Sequence, residues 1–265
     1  MSPPAWFDPA YPLPEQASVV AQQHYRLRAV SCDQPLLIIP LQGHKRLREG
    51  SHWLDCAPGQ FIMLHQAQQI DVENRPPSDG HYRALALSFA WPLVAIARSL
   101  LKRQPPPSEA HPLSHGPLHA LEPALQHYLN CPPSDQALVD HAAIGLLLAL
   151  ASNGHDAFLC AGDPSLAARV RVLLGAAPAR EWKSADLEAA FCVSSATLRR
   201  RLQEEQTSFR ALLQDVRLHH ALHLLQTRRQ ALKSVASACG YGSLASFSHA
   251  FAARFGLPPS AVARA

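Results

Sequence analysis

Three consecutive arginines, Arg199, Arg200 and Arg201, are the residues of this sequence whose type and spacing best suit binding chemistry. A guanidinium donates paired hydrogen bonds to a phosphate or to the O6 and N7 atoms of guanine. Successive residues on a helix point about 100° apart, so the three side chains cannot all enter one groove of a nucleic acid. We expect Arg199 and Arg200 to contact a polyanion, whereas Arg201 suits a contact and a solvated charge equally well.

The arginines lie in a segment, residues 184–205, with the pattern of a helix-turn-helix. A short helix from Ser184 to Phe191 is predicted to stop at Cys192-Val193, and Ser194 or Ser195 then caps a second helix. Four apolar residues stand where the two helices must touch: Leu187, Val193, Leu198 and Leu202. This segment is called the first unit below, and its second helix is the first reading helix.

Residues 232–255 repeat this pattern and form the second unit. Gly240 permits the tight turn, and Ser243 is a candidate cap for the second reading helix. Three phenylalanines recur every four residues on one face of that helix: Phe247, Phe251 and Phe255. Apolar residues between the units predict a long connecting helix: Phe209, Leu212, Leu213, Val216, Ala221, Leu224 and Leu225. That helix would fix the spacing of the two units.

The segment from Trp182 to Arg264 resembles the DNA-binding domain of the AraC/XylS family of regulators. The landmarks of the family occur in order as Val193-Ser194, Leu198, Arg200, Ser208-Phe209, Arg217, Ala221, Leu224-Leu225, Ala236, Gly240-Tyr241, Phe247, Phe251, Gly256 and Pro259. The resemblance implies an all-helical domain whose two reading helices enter successive major grooves, about 34 Å apart, on one face of the duplex. It also implies double-stranded promoter DNA and RNA polymerase as partners.

The resemblance assigns DNA contacts to positions in both reading helices. They are Ser195, Ala196, Arg199 and Arg200 in the first unit, and Ser243, Leu244, Ala245, Ser246 and His249 in the second. The second unit departs from the family, which usually has Ser, Arg and Lys where this chain has Ala245, His249 and Ala252. The first unit has Glu188 at a usual Ala, and Gln206 replaces a usual Gly. We therefore expect the first unit to discriminate between sequences and the second to add affinity and shape readout.

The distribution of charge agrees with a polyanionic partner at one end of the chain. The net charge is +4, but residues 163–265 hold 14 Lys+Arg against 7 Asp+Glu, whereas residues 1–162 hold 10 against 13. Lysine and arginine neutralise phosphates and release counterions, so a surplus at one end indicates where a nucleic acid would bind.

The first half of the sequence is predicted to be mainly β. Apolar residues alternate or run continuously in short segments between residues 24 and 89, and turn signals separate them, as in an antiparallel sandwich or barrel. After Trp91 the spacing becomes helical, except that Lys102 to Gly116 is interpreted as a loop. Ser134 is the predicted N-cap of the apolar helix that contains Leu138 to Leu150. Asp163 and Pro164 are the predicted N-cap and first residue of the next helix, and the domain boundary is placed there.

The predicted fold is therefore α+β, with an N-terminal cupin-like antiparallel β-barrel and following helices in residues 1–162, and an all-α DNA-binding domain in residues 163–265. The barrel assignment rests on a resemblance of Gln42-Gly43, Lys45-Arg46 and Pro58-Gly59 to the cupin-like sensor domain in one branch of these regulators. The resemblance implies that this domain binds a small effector or a protein partner. The apolar helix from Leu138 to Leu150 is expected to pack within the chain or to form a homodimer.

Other kinds of site have little support in the sequence. The six cysteines form no CxxC pair, and the fifteen histidines form no HExxH or HxH motif, so we assign no metal, no cofactor and no disulfide. There is no signal-like N-terminus and no apolar stretch long enough for a membrane span, so we expect a cytoplasmic protein.

Two alternatives to a transcription regulator stay open. One is a cupin enzyme, which needs a cluster of metal ligands, although His65 has no HxH partner. The other is a protein that binds a protein partner and whose second unit has been weakened, as His249 and Ala252 suggest. We prefer the regulator, without catalysis, because the first unit keeps its three arginines.

Overall fold

Antiparallel strands make up most of the described residues before Leu118, as the apolar patterns predict. The computed structural model describes residues 18–102, 112–160, 164–227 and 230–263. Within these ranges the strands are β1 (Ser18–Ala21), β2 (Tyr25–Cys32), β3 (Leu36–Gln42), β4 (His44–Glu49), β5 (His52–Cys56), β6 (Gln60–Leu64), β7 (Gln68–Arg75), β8 (Tyr82–Ser88) and β9 (Leu113–Pro117).

The strands divide between two sheets that pack face to face. One sheet has the order β1-β8-β3-β6-β9 and the other β2-β7-β4-β5, and the pairings are antiparallel. The predicted antiparallel class is confirmed, but between the two sheets no strand pairing closes a barrel within the described ranges. The expected barrel is therefore corrected to a sandwich, whose interior is filled by side chains of both sheets.

The five-stranded sheet is buried on both faces, which explains the continuous apolar run of β3. Leu37 and Ile39 face the helices that follow the sheet, whereas Ile38 faces the second sheet. A strand covered on both sides has no solvent face and therefore needs no alternating polar residues.

Nine α-helices occupy the rest of the described chain. They are α1 (Trp91–Leu101), α2 (Glu122–Asn130), α3 (Gln136–Ser152), α4 (Leu166–Gly175), α5 (Ser184–Phe191), α6 (Ser195–Glu204), α7 (Phe209–Thr227), α8 (Leu232–Ala238) and α9 (Leu244–Phe255). In the described residues none of these helices is long and apolar enough to cross a membrane.

Three sequence expectations about element boundaries are wrong. The predicted loop before Gly116 contains β9, which pairs with β6. The cap of α3 is Asp135, whose Oδ1 accepts a hydrogen bond from the N–H of Leu138 at 3.1 Å, and not Ser134. Pro164 is not the first residue of a helix, because Ser165 caps α4. Asp163 lies outside the described residues.

Three clusters of buried residues hold the elements together. The first runs from the interior of the sandwich to α7, α8 and α9. The second lies between the five-stranded sheet and α1, α2 and α3. The third joins α4, α5, α6 and the beginning of α7. The second unit therefore shares buried surface with the sandwich, whereas the first unit has a cluster of its own.

Candidate nucleic-acid interface

The first unit has the predicted helix-turn-helix geometry. Helix α5 ends at Cys192, whose φ of +52° reverses the chain. Ser194, one of the two predicted caps, begins α6, because its Oγ accepts a hydrogen bond from the N–H of Thr197 at 3.3 Å. Leu198 and Leu202 are buried against α5 and its neighbours. The opposite face of α6 is free to meet a partner.

The positions of the three arginines follow from this buried face. At about 100° per residue, Arg200 lies opposite Leu198 and Leu202, and Arg199 and Arg201 lie on the two flanks. All three are exposed, as are Ser195 and Ala196. The Nε atom of Arg200 lies 3.7 Å from Oε1 of Glu204, which orients the guanidinium on the outer face. Arg200 is thus the arginine that points most directly away from the protein.

The second unit has the same build but offers different chemistry. The Oγ of Ser243 accepts a hydrogen bond from the N–H of Ser246 at 3.1 Å and so caps α9, as predicted. The phenylalanines of the repeated pattern are fully buried: Phe247, Phe251 and Phe255. The predicted contact residues are exposed: Ser243, Leu244, Ala245, Ser246 and His249. This surface presents hydroxyls, one imidazole and apolar groups, which suits methyl contacts and shape readout.

The guanidinium of Arg217 in α7 joins the segment that precedes the first unit to the turn of the second unit. Its Nε donates to the carbonyl of Pro178 at 3.1 Å, and its Nη2 donates to the carbonyl of Arg180 at 3.3 Å. Gly240, with a φ of +76°, lies against the same guanidinium, where a Cβ would come within 3.0 Å of Cζ. The contacts of Arg217 therefore hold neighbouring segments together, which is a structural role.

Glu205 is a residue whose role the sequence analysis missed. Its carboxylate accepts hydrogen bonds from the N–H groups of Leu166 and Ala167, at 2.9 and 2.8 Å, and so satisfies the open first turn of α4. No local pattern could indicate this contact, because the donor and acceptor lie almost forty residues apart in sequence.

A buried polar chain inside the sandwich was also missed. The Nζ of Lys45 donates to Oδ1 of Asn74 at 2.8 Å, and Nδ2 of Asn74 donates to the hydroxyl of Tyr25 at 2.9 Å. The same hydroxyl accepts a hydrogen bond from Nε2 of Gln226 in α7 at 2.8 Å. Burial lowers the pKa of Lys45 to about 8. Lys45 shares a strand face with the buried Leu47, which is the sequence signal that its side chain points inward.

The described histidines and cysteines are not arranged as a metal site. Among the described residues, no group of three or more His, Cys, Asp or Glu could hold a metal ion. His65 bonds through Nε2 to the Oγ of Ser114 at 2.8 Å, and its Nδ1 accepts the N–H of Phe158 at 3.1 Å. Burial lowers the pKa of His65 to about 4. The two ring nitrogens therefore link the end of β6 to β9 and to the turn at Phe158.

Comparison with known proteins agrees with this geometry. Residues 187–265 match a family described as a helix-turn-helix domain. The chain is 33% identical over 114 residues to the HTH-type transcriptional regulator YdeO of Escherichia coli K12, which covers 43% of this chain and 45% of that protein. It is 32% identical over 98 residues to the HTH-type transcriptional regulator GadX of the same organism, covering 37% and 36%. These matches span less than half of each relative.

Most of the chain resembles a solved structure in its fold. The apo form of a single-substitution variant of ToxT from Vibrio cholerae superposes with a TM-score of 0.61 at 17% identity, covering 92% of this chain and 94% of that chain. ToxT with a bound unsaturated fatty acid gives a TM-score of 0.59 at 15% identity, covering 92% of each chain. At these identities the likeness concerns the fold. The C-terminal part of this chain, residues 187–265, is thus a helix-turn-helix domain, and it follows a β-sandwich whose fold resembles that of ToxT.

Proposed function

We propose that this protein is a sequence-specific transcription regulator that binds promoter DNA through its two helix-turn-helix units. The carrying observation is that the nine residues assigned to DNA contacts are exposed, whereas the apolar residues of the same helices are buried. Arg199 and Arg200 supply direct readout, and the second unit adds affinity. The proposal places the division near residue 163, with the sandwich as the sensing part. It includes no catalysis.

A binding titration with matched DNA tests this proposal. Full-length protein is titrated onto the duplex that it recovers from a randomised pool and onto a scrambled duplex, at two salt concentrations. A specific complex keeps its preference at the higher salt, whereas nonspecific binding is lost with the counterions. Equal, weak binding to both duplexes would contradict the proposal and would favour the alternative of a protein that binds a protein partner.

We also propose the chemical class of the effector, a monocarboxylate with an apolar tail. The buried ammonium of Lys45 would bind the carboxylate, and the hydroxyl of Tyr82, which is buried without a hydrogen-bond partner among the described residues, would donate to it. Apolar side chains of both sheets belong to the same buried cluster as Tyr82: Leu27, Leu47, Ile62, Leu64 and Val72. The fatty acid bound to ToxT belongs to this class of compound.

Thermal unfolding with a defined probe tests the effector proposal. Oleate is expected to raise the melting temperature of the wild type, because a ligand that binds only the folded state stabilises it. Oleyl alcohol, which lacks the carboxylate, should raise it less. The Lys45→Met variant should lose the response to oleate, whereas the exposed Lys233→Met control keeps it. An equal response in both variants would contradict the role of Lys45.

The remaining partners belong to the same proposal. RNA polymerase is the expected protein partner of a promoter-bound regulator, and the cytoplasm is where such a protein meets the chromosome.

A second copy of the chain is proposed to pack on α3, where Leu138 is 47% exposed and Ile144 and Leu148 are half-buried. Sedimentation of the wild type and of Leu138→Glu tests this, since a dimer on α3 would dissociate in the variant.

A further inference from the structure

One carboxylate, Asp215 of α7, is at the centre of a polar cluster between the sandwich and the helical part. Its Oδ1 lies 2.6 Å from Nε of Arg254 in α9, and its Oδ2 lies 3.2 Å from Nε of Arg171 in α4. The side chain of Asp215 is only 12% exposed. Although burial by itself would raise the pKa of Asp215, the guanidiniums of Arg254 and Arg171 help to hold it below its usual range. One residue of the connecting helix thus joins α9 of the second unit to α4, which is buried together with the first unit in the third cluster.

The end of strand β2 completes this cluster from the side of the sandwich. The Oγ of Ser31 donates to Oδ2 of Asp215 at 3.2 Å and accepts from Nη2 of Arg254 at 3.0 Å. The carbonyl of Arg28 accepts a further hydrogen bond from Arg254 at 3.5 Å. Asp33 lies 3.4 Å from the guanidinium of Arg171. The segment from Arg28 to Asp33 therefore contacts both α4 and α9.

His219 has its tautomer fixed by the same segment. Its Nε2 accepts the N–H of Ser31 at 2.9 Å, so the ring proton lies on Nδ1, which donates to the carbonyl of Asp215 at 2.8 Å. Protonation of Nε2 would remove the acceptor for Ser31. Burial lowers the pKa of His219 in agreement with a neutral ring.

A bulge in strand β2 sets the position of the segment from Arg28 to Asp33. Its pairing with β7 shifts between Leu27 and Val30, and Ala29 adopts a φ of +48° at this bulge. The N–H of Ala29 is held by Oδ1 of Asp71 at 2.9 Å. A bulge redirects the strand locally, and here it aims Ser31 at the cluster.

We propose that the cluster of Asp215, Arg171, Arg254, His219 and Ser31 fixes the angle and spacing between the two reading helices. Asp215 and Ser31 are positioning residues, since they act on DNA through the placement of α9. This inference rests on the proposed function, because it concerns how the same two units bind one duplex. Its consequence is that contacts from the sandwich set the separation of half-sites that the protein accepts.

Half-site spacing provides the test. The duplex recovered by the wild type from a randomised pool is remade with two extra base pairs between its halves, which rotates one half by about 70° relative to the other. The wild type should lose about ten-fold or more in affinity on this insertion. The Ser31→Ala and Asp215→Asn variants should lose about three-fold or less. The matched controls Ser78→Ala and Asp79→Asn, in an exposed turn, should behave as the wild type.

The outcomes separate the inference from the proposed function. A variant that is merely less stable lowers its affinity for both duplexes by one factor and leaves their ratio unchanged, and this result for Ser31→Ala would overturn the inference. Ser31→Ala removes a single hydroxyl, so it provides the test even if Asp215→Asn fails to fold. A wild type that recovers no duplex at all would instead contradict the proposed function.

Discussion

Arg200 is the side chain that we expect to contribute most to the preference of this protein for one DNA sequence over another. It points away from the buried face of the first reading helix, and Arg199 and Arg201 occupy the flanks. The second unit has only uncharged side chains and His249 at its assigned contacts. Discrimination between DNA sequences should therefore depend strongly on the first unit.

Replacing Arg200 with Ala should lower the preference for the recovered duplex over a scrambled one by about 1–3 kcal/mol, the range of a bidentate contact with a guanine. Fluorescence anisotropy at fixed salt measures both affinities. Arg201→Ala is the control, because it removes the same charge from a flank. Equal loss of preference in the two variants would show that charge, and not base contact, determines specificity.

Gln206 is a strained position at the end of the first reading helix. Its φ is +55°, and the N–H of Thr207 reaches back to the carbonyl of Leu202 at 2.9 Å, as in a helix end that favours glycine. We expect Gln206→Gly to raise the free energy of unfolding by about 0.5–1 kcal/mol, because glycine adopts this conformation without a clash. Gln203→Gly, within α6, should lower it by a similar amount. Urea unfolding of the two variants gives opposite signs if this interpretation holds.

Among the secondary-structure elements, β6, β9 and the turn at Phe158 depend on one neutral histidine. His65 accepts the N–H of Phe158 and bonds to Ser114 of β9. The second histidine on Ser114, His155, lies 3.0 Å from its Oγ, and burial lowers its pKa as well. A proton added to His65 would oppose the N–H of Phe158, so these elements are joined only while the ring is uncharged.

The pKa of His65, lowered from 6.5 to about 4, makes the stability of the fold depend on pH. Below pH 6.5 the unfolded chain takes up a proton that the folded chain refuses, so this contribution is present above 6.5 and is lost as the pH falls towards 4. Between pH 7 and pH 5 it should fall by about 2 kcal/mol. His65→Gln should reduce this fall, measured by urea unfolding at both pH values, whereas the exposed His52→Gln should not.

At the scale of the whole molecule, the buried clusters divide the chain differently from the predicted domains. The sandwich and α7–α9 share one cluster, and α4–α6 have another. Helix α7 belongs to both. Leu212 and Val216 are buried in the cluster of α4–α6, and Leu218 and Leu225 in the cluster of the sandwich. The second unit should therefore open together with the sandwich.

Hydrogen exchange measured by mass spectrometry tests this division. Amides of α9 should exchange with a protection similar to that of β2, and amides of α6 should exchange faster, because elements of one buried cluster open cooperatively. The exposure of the two reading helices, taken alone, predicts similar exchange rates for α6 and α9, because both have an exposed outer face. If α6 and α9 exchange together and independently of β2, the helical part is the cooperative unit and the shared cluster contributes little.

The sequence predicts local features of this molecule better than its long-range contacts. The bounds of α5 and the cap at Ser243 follow from local signals. Strand β9 does not, since its Ser, His, Gly and Pro residues form a strand only by pairing with β6. The exposed side chains of the reading helices follow from helical spacing. The contacts of Asp215 and Lys45 do not, because their partners lie on distant elements.

The cluster shared by the sandwich and α7–α9 also limits which segments can be exchanged by recombination with a related protein. A recombination point near residue 163 would separate the sandwich from Leu218, Leu222 and Leu225, which are buried with its side chains. Exchange of residues 184–205 alone leaves that buried surface intact, because the first unit belongs to a separate cluster. We therefore expect new DNA preferences to be acquired most readily by replacing the first unit, because the second unit shares its buried surface with the sandwich.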